Sequence, residues 1–485
     1  MDIKEISDRL FCSYRIRGDI LDKDKRVLTS FLNELNDFGS ETDRFKISMC
    51  APVRRLQQKT QVFPLDVKAT SRNRLSHSLE VQEYTRLISY SLVSALKDRG
   101  TDISSLMPSM LCILSNASLM HDIGNPPFGH FGESLIRCWI KSAVERRQVS
   151  SEMSLLEKDD LLNFNGNAQG LRLLHSIQDL NLTLGQYASV IKVPYTLKEL
   201  LLGKGKGNAG NGIHKDYYSW AYSNAGVFLS EKDLLDALRE HCKRDTRHPF
   251  ATIIEYADDL SYVLADLEDA YDRGLFDHHT IVNLCASLSD FSSLCSSSEL
   301  SDICQALDPD YIKKSFKKSK AQALFYVRDV VSHFVISDLV RAICSDFELF
   351  VMTGEPDFSK DEYPGIMILE MLKDFENRTV YDHQDVQTLD LSGARYLNSI
   401  FSMYERLLFQ SSETLASEFS KEGGDPYCKR LASRISTRHQ LAYFKSLNSG
   451  KFSEMYLRLR LIIDYISGMT DTYAEAEYRL LNGIH

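Results

Sequence analysis

The sequence predicts a mainly α-helical fold. Its 485 residues contain only 11 prolines and 24 glycines, which leaves few positions that would interrupt a helix. Apolar residues recur at spacings of three and four along most long segments, as they do over 74–98. Segments with strand character are few and short. We therefore predict one large helical domain with a small β-hairpin insertion within 190–228 and a C-terminal helical extension.

Helix boundaries follow from this periodicity and from the residues that end helices. A helix over 108–124 should stop at Gly124, and Pro126 and Pro127 exclude its immediate continuation. A new helix should begin near Phe128. Further helices are predicted over 167–179, 251–272, 321–350, 391–410 and 452–480.

Composition and cysteine usage limit the class of protein. Hydrophobic residues make up 43% and charged residues 26%, which is ordinary for a globular protein in water. The net charge of −10 means that an anionic ligand would need a local basic pocket. The ten cysteines include no CxxC pair, which favours free thiols in a reducing compartment. Neither a membrane-length apolar run nor a signal peptide is evident, so we expect a cytoplasmic protein without membrane contact.

The stretch LMHDIGNPPFGHFGE, at 119–133, concentrates polar groups between apolar flanks. His121 and Asp122 are adjacent near a predicted helix end, and His130 and Glu133 follow three residues apart. Imidazoles and carboxylates are good ligands for first-row divalent metals. Because neighbouring helical residues point about 100° apart, a shared ion would need further ligands from other helices.

Two other helices offer such ligands. His77 lies on the helix at 74–98, and Asp258, Tyr262 and Asp266 repeat every four residues, which places them on one helix face. A carboxylate, a phenol and a carboxylate in a row suit a cleft that holds a metal at one end and a sugar further along. Taken singly, His77 is more often a packed histidine and the acidic row a solvated face. The order His, His-Asp, distant Asp favours a common site.

That order is the signature of the HD superfamily of metal-dependent phosphohydrolases, and longer segments resemble one family within it. The segments RRLQQKTQVFPL, RLSHSLEVQ, HDIGNPPFGHFGE, GNAQGLRLLH, ADDLSYVLADLEDA, STRHQLAY and DYISGMTDTYA resemble bacterial deoxyguanosinetriphosphate triphosphohydrolases (dGTPases). The resemblance is weakest over 190–250 and 290–390. It implies an HD-domain helical fold with an N-terminal helical segment (1–60), an HD catalytic core (61–280) and a helical C-terminal region packed on that core (281–485).

The resemblance implies hydrolysis of dGTP to deoxyguanosine and inorganic triphosphate by metal-assisted attack at the α-phosphate. It assigns His77, His121, Asp122 and Asp258 as metal ligands, with Asp259 as the adjacent alternative to Asp258. The cofactor would be a divalent ion, Mn²⁺ or Mg²⁺, with Co²⁺ also suitable.

The same resemblance makes His130 and Glu133 a catalytic pair. Their spacing lets Glu133 orient and charge-stabilise His130 on one helix face. A histidinium held in this way can protonate the departing 5′-alkoxide. The alternative, in which His130 acts on the side of the nucleophile, stays open.

Substrate contacts are implied as well. Gln61 and Val62 resemble residues that meet the deoxyribose. Tyr262 would stack under the sugar and disfavour ribonucleotides, and Asp266 would accept a hydrogen bond from the 3′-hydroxyl.

Other residues are assigned to the phosphates. Asn167 and Lys192 would bind phosphate oxygens, and Arg430 would reach the nucleotide, from the same or a neighbouring subunit. The family has Lys-Tyr where this chain has Lys192 and Val193, so the tyrosine's contact is missing or is supplied by Tyr195.

Partners and alternative functions follow from the same comparison. Relatives form hexamers and bind single-stranded DNA, so a homohexamer with DNA as a regulator is expected. The segment YIKKSFKKSK, at 311–320, is either a DNA contact or a solvated helix face, and GKGKG, at 203–207, predicts a loop and not a phosphate cradle. Arg54 and Arg55 either face the triphosphate or form structural ion pairs. The alternatives to a dGTPase are a broader dNTP triphosphohydrolase and a non-catalytic HD protein that senses nucleotide or single-stranded DNA.

Overall fold

The fold is helical throughout the part of the chain that can be described, as predicted. The computed structural model describes residues 1–16, 39–65, 71–203, 224–277, 279–280, 283–287, 308, 314, 320–359, 363–420 and 425–484. The helices, numbered in chain order, are α1 (Ile3–Leu10), α2 (Gly39–Met49), α3 (Ala51–Arg55), α4 (Arg74–Asp98), α5 (Met107–Met120), α6 (Gly129–Glu145), α7 (Arg147–Ser150), α8 (Leu155–Leu162), α9 (Gly166–Arg172), α10 (Leu184–Ala188), α11 (Leu197–Leu201), α12 (Lys232–Cys242), α13 (Pro249–Asp272), α14 (Lys320–Ser345), α15 (Phe347–Thr353), α16 (Pro364–Glu376), α17 (Gln384–Tyr404), α18 (Ser412–Ser420), α19 (Pro426–Ala432), α20 (Thr437–Ser449), α21 (Glu454–Ser467) and α22 (Asp471–Leu481).

The β-hairpin predicted within 190–228 is not confirmed. Its described parts, 190–203 and 224–228, contain turns and helix α11 but no strand, and residues 204–223 lie outside the described residues. The isolated bridge between Thr60 and Asn73 is the β-type pairing recorded in the described chain. The loop predicted at 203–207 and the basic segment at 311–320 also fall almost wholly outside the described residues.

Capping residues decide where the helices begin and end. Asn73 starts α4 by accepting hydrogen bonds from the first-turn N–H groups, and the predicted span 74–98 is confirmed. The single helices predicted over 321–350 and 452–480 are wrong in detail. Asp346 caps α15 and Thr470 caps α22, so each prediction corresponds to two helices. Periodicity alone did not show these caps because the apolar pattern continues across them.

Each of two groups of helices encloses its own apolar core. In the first group, α4 packs against α5, α13 and α14, and α16 packs against α13 and α14. In the second group, α17 packs against α6, α21 and α22. The turn at 121–128 leads from α5 in the first group to α6 in the second. The HD stretch therefore lies where the two groups meet.

Close backbone contact fixes that turn against α9. A Cβ atom on Gly124 would lie 2.1 Å from both the carbonyl oxygen of Gly166 and the amide nitrogen of Gly170. A side chain at this position would force the two segments apart, so glycine is needed for the contact.

Among the described residues, no helix is both long and apolar enough to cross a membrane.

Buried ion pairs tie the C-terminal helices to the rest. Arg460, on α21, is 0% exposed and pairs with the carboxylate of Asp160 on α8. The same carboxylate accepts hydrogen bonds from the Tyr456 hydroxyl at 2.7 Å and from the Leu229 amide at 2.7 Å. The arrangement satisfies charges that burial would otherwise strongly disfavour.

We predict that Asp160→Ala lowers the free energy of unfolding by about 3–5 kcal/mol, because it leaves the guanidinium of Arg460 buried without its counter-charge. Denaturant unfolding measures this change. Asp236→Ala is the control, since it removes an exposed pair with Lys232 on one helix and should change the free energy by less than about 0.5 kcal/mol. Equal effects of the two substitutions would contradict the prediction.

Candidate active site

The packing of α4 against α13 joins the first two predicted ligands. His77 Nε2 lies 3.0 Å from Asp258 Oδ1. The other ring nitrogen of His77, Nδ1, lies 3.2 Å from the hydroxyl of Ser261, which is on the same helix as Asp258. The ring is buried, at 1% exposed, so its orientation is set by these two contacts.

His121 presents an unpaired nitrogen to the same place. Its Nδ1 lies 2.7 Å from the carbonyl oxygen of Ser118, so in the neutral ring Nδ1 carries the proton and Nε2 carries the lone pair. Nε2 is buried and lacks a hydrogen-bond partner within the described chain. It lies 3.5 Å from Asp258 Oδ1 and 3.7 Å from Asp122 Oδ1. A buried imidazole lone pair beside two carboxylates is what a metal ligand would show.

Asp122 is held in its charged form. Arg74 Nη1 donates to Asp122 Oδ2 at 2.6 Å, and the side-chain amide of Asn125 donates to Oδ1 at 2.6 Å. Burial raises the pKa of Asp122, but nearby positive charge, above all the guanidinium of Arg74, outweighs burial and holds that pKa below its usual value.

The donor set fits a divalent metal. Ligand atoms of His77, His121 and Asp122 all lie within 4.8 Å of one another, and Asp258 adjoins both imidazoles. Asp259 points elsewhere, because its carboxylate pairs with Lys373 on α16 at 2.5 Å. Of the two adjacent aspartates, Asp258 therefore faces the cluster. Two imidazoles and two carboxylates suit first-row divalent ions.

The His130–Glu133 pair lies on the first turn of α6. His130 Nδ1 is 3.6 Å from Glu133 Oε2, and Glu133 Oε1 accepts a hydrogen bond from the amide of Gly166 at 2.6 Å. The side chain of His130 is 87% exposed whereas that of Glu133 is 10% exposed. The contact with Glu133 raises the pKa of His130, which favours the protonated ring.

A cavity of about 680 Å³ joins these groups. Its lining includes Asp122 and Asp258 from the cluster, the pair on α6, and most of the predicted substrate-binding residues. The predicted substrate-binding residues in the lining are Gln61, Val62, Asn167, Lys192 and Tyr262. Lys192 Nζ lies 3.3 Å from Asp258 Oδ2, and although burial lowers the pKa of Lys192, the charge of Asp258 outweighs it and raises that pKa. The cavity thus brings a cation, polar groups and an aromatic ring beside the cluster.

Two predicted residues are placed differently. Asp266 is 0% exposed and does not line the cavity. Tyr381 does line the cavity, and its hydroxyl donates to Asp266 Oδ2 at 3.0 Å. Burial raises the pKa of Asp266 to about 6 and also raises the pKa of its neighbour Glu376. Arg430 is exposed, donates to the carbonyl of Pro426 at 2.7 Å, and is not among the cavity residues of this chain.

The structure also gives the contacts of Tyr195, Arg54 and Arg55, whose roles the sequence left open. The hydroxyl of Tyr195 donates to the carbonyl of Asp245 at 2.9 Å and does not line the cavity, where Val193 is found. Arg54 donates to the carbonyl of Met49, and Arg55 donates to that of Gly468 at 2.9 Å. Both arginines bind backbone carbonyls, neither lines the cavity, and neither forms an ion pair within the described part of the chain.

Sequence reasoning missed several polar residues of the site. Arg74 precedes His77 by one helical turn, so its spacing was a usable signal. Lys373, Tyr381 and Asp390 also line the cavity. They lie in 290–390, where the resemblance is weakest, or at its edge. Burial raises the pKa of the Asp390 carboxyl to about 6.

The helices bring two imidazoles and two carboxylates together beside an exposed histidine. This arrangement is that of an HD-type metal-dependent phosphohydrolase. Residues 443–480 match the family model described as the phosphohydrolase-associated domain. The chain is 33% identical to the deoxyguanosinetriphosphate triphosphohydrolases of Cronobacter sakazakii and Enterobacter sp., with 92% of this chain and 94% of each relative covered. It is 32% identical to that of Salmonella typhimurium, with 92% and 93% covered. The chain belongs to the deoxyguanosinetriphosphate triphosphohydrolase family.

We predict that a divalent metal stabilises the metal-stripped protein through His121. A free metal concentration 100 times the dissociation constant should add about 2.7 kcal/mol to the free energy of unfolding, seen as a rise in melting temperature. His121→Ala should abolish most of this rise, because it removes the unpaired nitrogen. His439→Ala is the matched control, since the Nε2 of His439 is also buried and lacks a hydrogen-bond partner within the described residues but is not in the cluster. The same metal-induced rise in both variants would contradict the assignment.

Proposed function

We propose that the chain hydrolyses dGTP to deoxyguanosine and inorganic triphosphate. The observation that carries the proposal is the unpaired Nε2 of His121, which faces two carboxylates at the cavity that also exposes His130. We infer the substrate from the relatives, which are named as deoxyguanosinetriphosphate triphosphohydrolases. The cavity supports it by placing a cationic Lys192 and an aromatic Tyr262 beside the cluster.

His77, His121, Asp122 and Asp258 would hold the metal, with Mn²⁺ or Mg²⁺ as the favoured ions. When bound, such an ion supplies Lewis-acid polarisation of a phosphate oxygen and a water of lowered pKa. The chain itself prepares the ligands. The Ser118 carbonyl fixes the tautomer of His121, and Arg74 keeps Asp122 ionised.

His130 would donate a proton to the departing 5′-oxygen of deoxyguanosine. An alkoxide is a poor leaving group, so this proton lowers the barrier for cleavage at the α-phosphorus. Glu133 would keep His130 protonated and oriented, and Glu133 itself is fixed by the amide of Gly166. The exposed position of His130 lets it reach a substrate in the cavity.

The remaining cavity residues would hold the nucleotide. Lys192 would neutralise phosphate charge. Tyr262 would stack on the sugar, with Gln61 and Val62 at its edge. Gln61 Oε1 is buried and has no hydrogen-bond partner among the described residues, and a substrate hydroxyl would supply one if the side chain turns toward the cavity. Asn167 would bind a phosphate oxygen.

The 3′ end of the sugar would meet Tyr381 and Asp266 together. Asp266 lies behind the Tyr381 hydroxyl, so the 3′-hydroxyl would either bind that hydroxyl or displace it to reach the carboxylate. This arrangement replaces the direct contact with Asp266 alone that the sequence suggested.

Several finer features belong to the same proposal. We propose a cytoplasmic homohexamer in which Arg430 serves a neighbouring subunit's cavity, because in its own subunit it is exposed and is not part of the lining. We retain single-stranded DNA as a regulator. The three-part division at residues 60 and 280 also stays a proposal.

We predict that the purified protein with Mn²⁺ converts dGTP to deoxyguanosine and intact triphosphate, and that His130→Ala lowers kcat by about 10²–10⁴-fold because it removes the proton donor. Chromatography of the products with each dNTP and GTP measures both. The exposed His279, which does not line the cavity, provides the control variant His279→Ala.

The outcomes separate the alternative functions. Similar rates with all four dNTPs would indicate a broader dNTP triphosphohydrolase. Binding without turnover would indicate a sensing protein. Formation of dGMP and pyrophosphate would contradict the proposed reaction.

We predict that Glu133→Gln moves the alkaline limb of the kcat–pH profile to lower pH. Glu133 raises the pKa of His130, so the variant's histidine loses its proton at lower pH, and an acid catalyst is active only below its pKa. If His130 instead acts as a base on the nucleophile, the acidic limb moves to lower pH and the alkaline limb stays. That result would replace the assigned role of His130.

A further inference from the structure

The carboxylate of Asp471 joins two segments that line the cavity. Asp471 Oδ2 accepts hydrogen bonds from the amide of Thr60 at 2.9 Å and from its hydroxyl at 2.6 Å. Asp471 Oδ1 accepts a hydrogen bond from the amide of Phe128 at 3.0 Å. The side chain is 2% exposed and does not itself line the cavity. One buried carboxylate at the start of α22 therefore links segments that precede α4 and α6.

The Thr60 segment carries substrate-facing and metal-facing groups. Thr60 and Gln61 both line the cavity. The backbone of Lys59 accepts a hydrogen bond from the amide of Arg74 at 2.9 Å, and Arg74 in turn holds Asp122. A shift of Thr60 would consequently move Gln61, while the side chain of Arg74 keeps its own hydrogen bond to Asp122.

The Phe128 segment sets the start of the helix that carries His130. Phe128 has a φ of 64°, a left-handed conformation that a residue with a Cβ atom adopts only at a cost in free energy. Its ring packs where Gly393 leaves space, since a Cβ at Gly393 would lie 2.7 Å from the ring. The hydrogen bond to Asp471 fixes the peptide immediately before this ring, two residues from His130.

We propose that Asp471 is a positioning residue that sets the placement of Gln61 relative to His130, acting through Thr60 and Phe128. The proposal rests on the function proposed above for these two residues. It also gives a role in the reaction to the region that matches the phosphohydrolase-associated domain, which contains Asp471.

A carboxylate is required because all three groups that face it are donors. An asparagine of the same shape has one acceptor oxygen and one NH₂ group. If the amide oxygen faces Thr60, the NH₂ group opposes the amide of Phe128. If it faces Phe128, the NH₂ group opposes the amide of Thr60. Either orientation leaves one backbone N–H without its acceptor, so the asparagine variant releases one of the two segments.

The test compares Asp471→Asn with Glu477→Gln. Glu477 lies on the same helix, is 1% exposed and accepts hydrogen bonds from Arg434 at 2.6 Å and from Tyr404 at 2.9 Å, none of which lines the cavity. Both substitutions turn a buried carboxylate into an amide. We expect Asp471→Asn to lower kcat by about 10- to 100-fold, since small misplacement of reacting groups has effects of this size. Mn²⁺ affinity should change less than threefold, and Glu477→Gln should keep kcat within twofold of the wild type.

Hydrogen–deuterium exchange measures the same link without activity. Peptides that cover 56–63 and 125–132 should exchange faster in Asp471→Asn than in the wild type, and Glu477→Gln should leave them unchanged. If Asp471→Asn is insoluble, Thr60→Val takes its place. Thr60→Val removes only the hydroxyl bond and should lower kcat by about 2- to 10-fold.

Each outcome decides the proposal. An Asp471→Asn enzyme with wild-type kcat, or a Glu477→Gln enzyme that loses as much kcat as Asp471→Asn, would overturn it. If the wild type releases no triphosphate, the proposed function fails by itself. The exchange measurement then decides the positioning role, because unchanged exchange in the two peptides would reject it and a local increase would support it.

Discussion

The lone pair on His121 Nε2 is the constraint on which the rest of the structure depends. It is buried at the point where α5 ends, and carboxylates from two different segments lie within 3.7 Å of it. Without a positive charge between them, the two carboxylates would repel one another at low dielectric. Arg74 and Lys192 offset part of that repulsion, and a divalent ion would offset the remainder. Although burial raises the pKa values of Asp122 and Asp258, nearby positive charge outweighs burial and holds both below their usual values.

Much of that support comes from the C-terminal region. Lys59 is 2% exposed and donates to the carbonyls of Asn125 and Ser467, which joins the HD turn to the end of α21. Burial, with the charge of Arg74 adding to it, lowers the pKa of Lys59 to about 7. One turn earlier on α21, Asp464 pairs with Arg172 of α9 at 2.7 Å. The region that matches the phosphohydrolase-associated domain thus supports the turn at 121–128 through these contacts. Its own acidic groups do not line the cavity.

The sequence predicted the candidate metal ligands through its resemblance to a known family. That resemblance names His77, His121, Asp122 and Asp258, and the structure brings these side chains together. It could not show that Asp266 lies behind Tyr381, because that contact joins residues 115 positions apart and no spacing rule relates them.

Contacts between residues far apart in the sequence account for most of the features that the sequence did not predict. Asp471 meets Thr60 across 411 positions, so its place beside the cavity appears only when α22 folds back on the segment before α4. The breaks at Asp346 and Thr470 were missed for a different reason. In both places an N-cap side chain begins a new helix while the apolar periodicity continues. Helix existence was therefore predictable, whereas helix ends and tertiary hydrogen bonds were not.

The most direct measurement is anomalous diffraction at the manganese edge from crystals grown with Mn²⁺. The account predicts a strong peak bonded to His77, His121, Asp122 and Asp258, with His130 across the cavity from it. A peak bound elsewhere, or four dispersed side chains with no peak between them, would contradict the account.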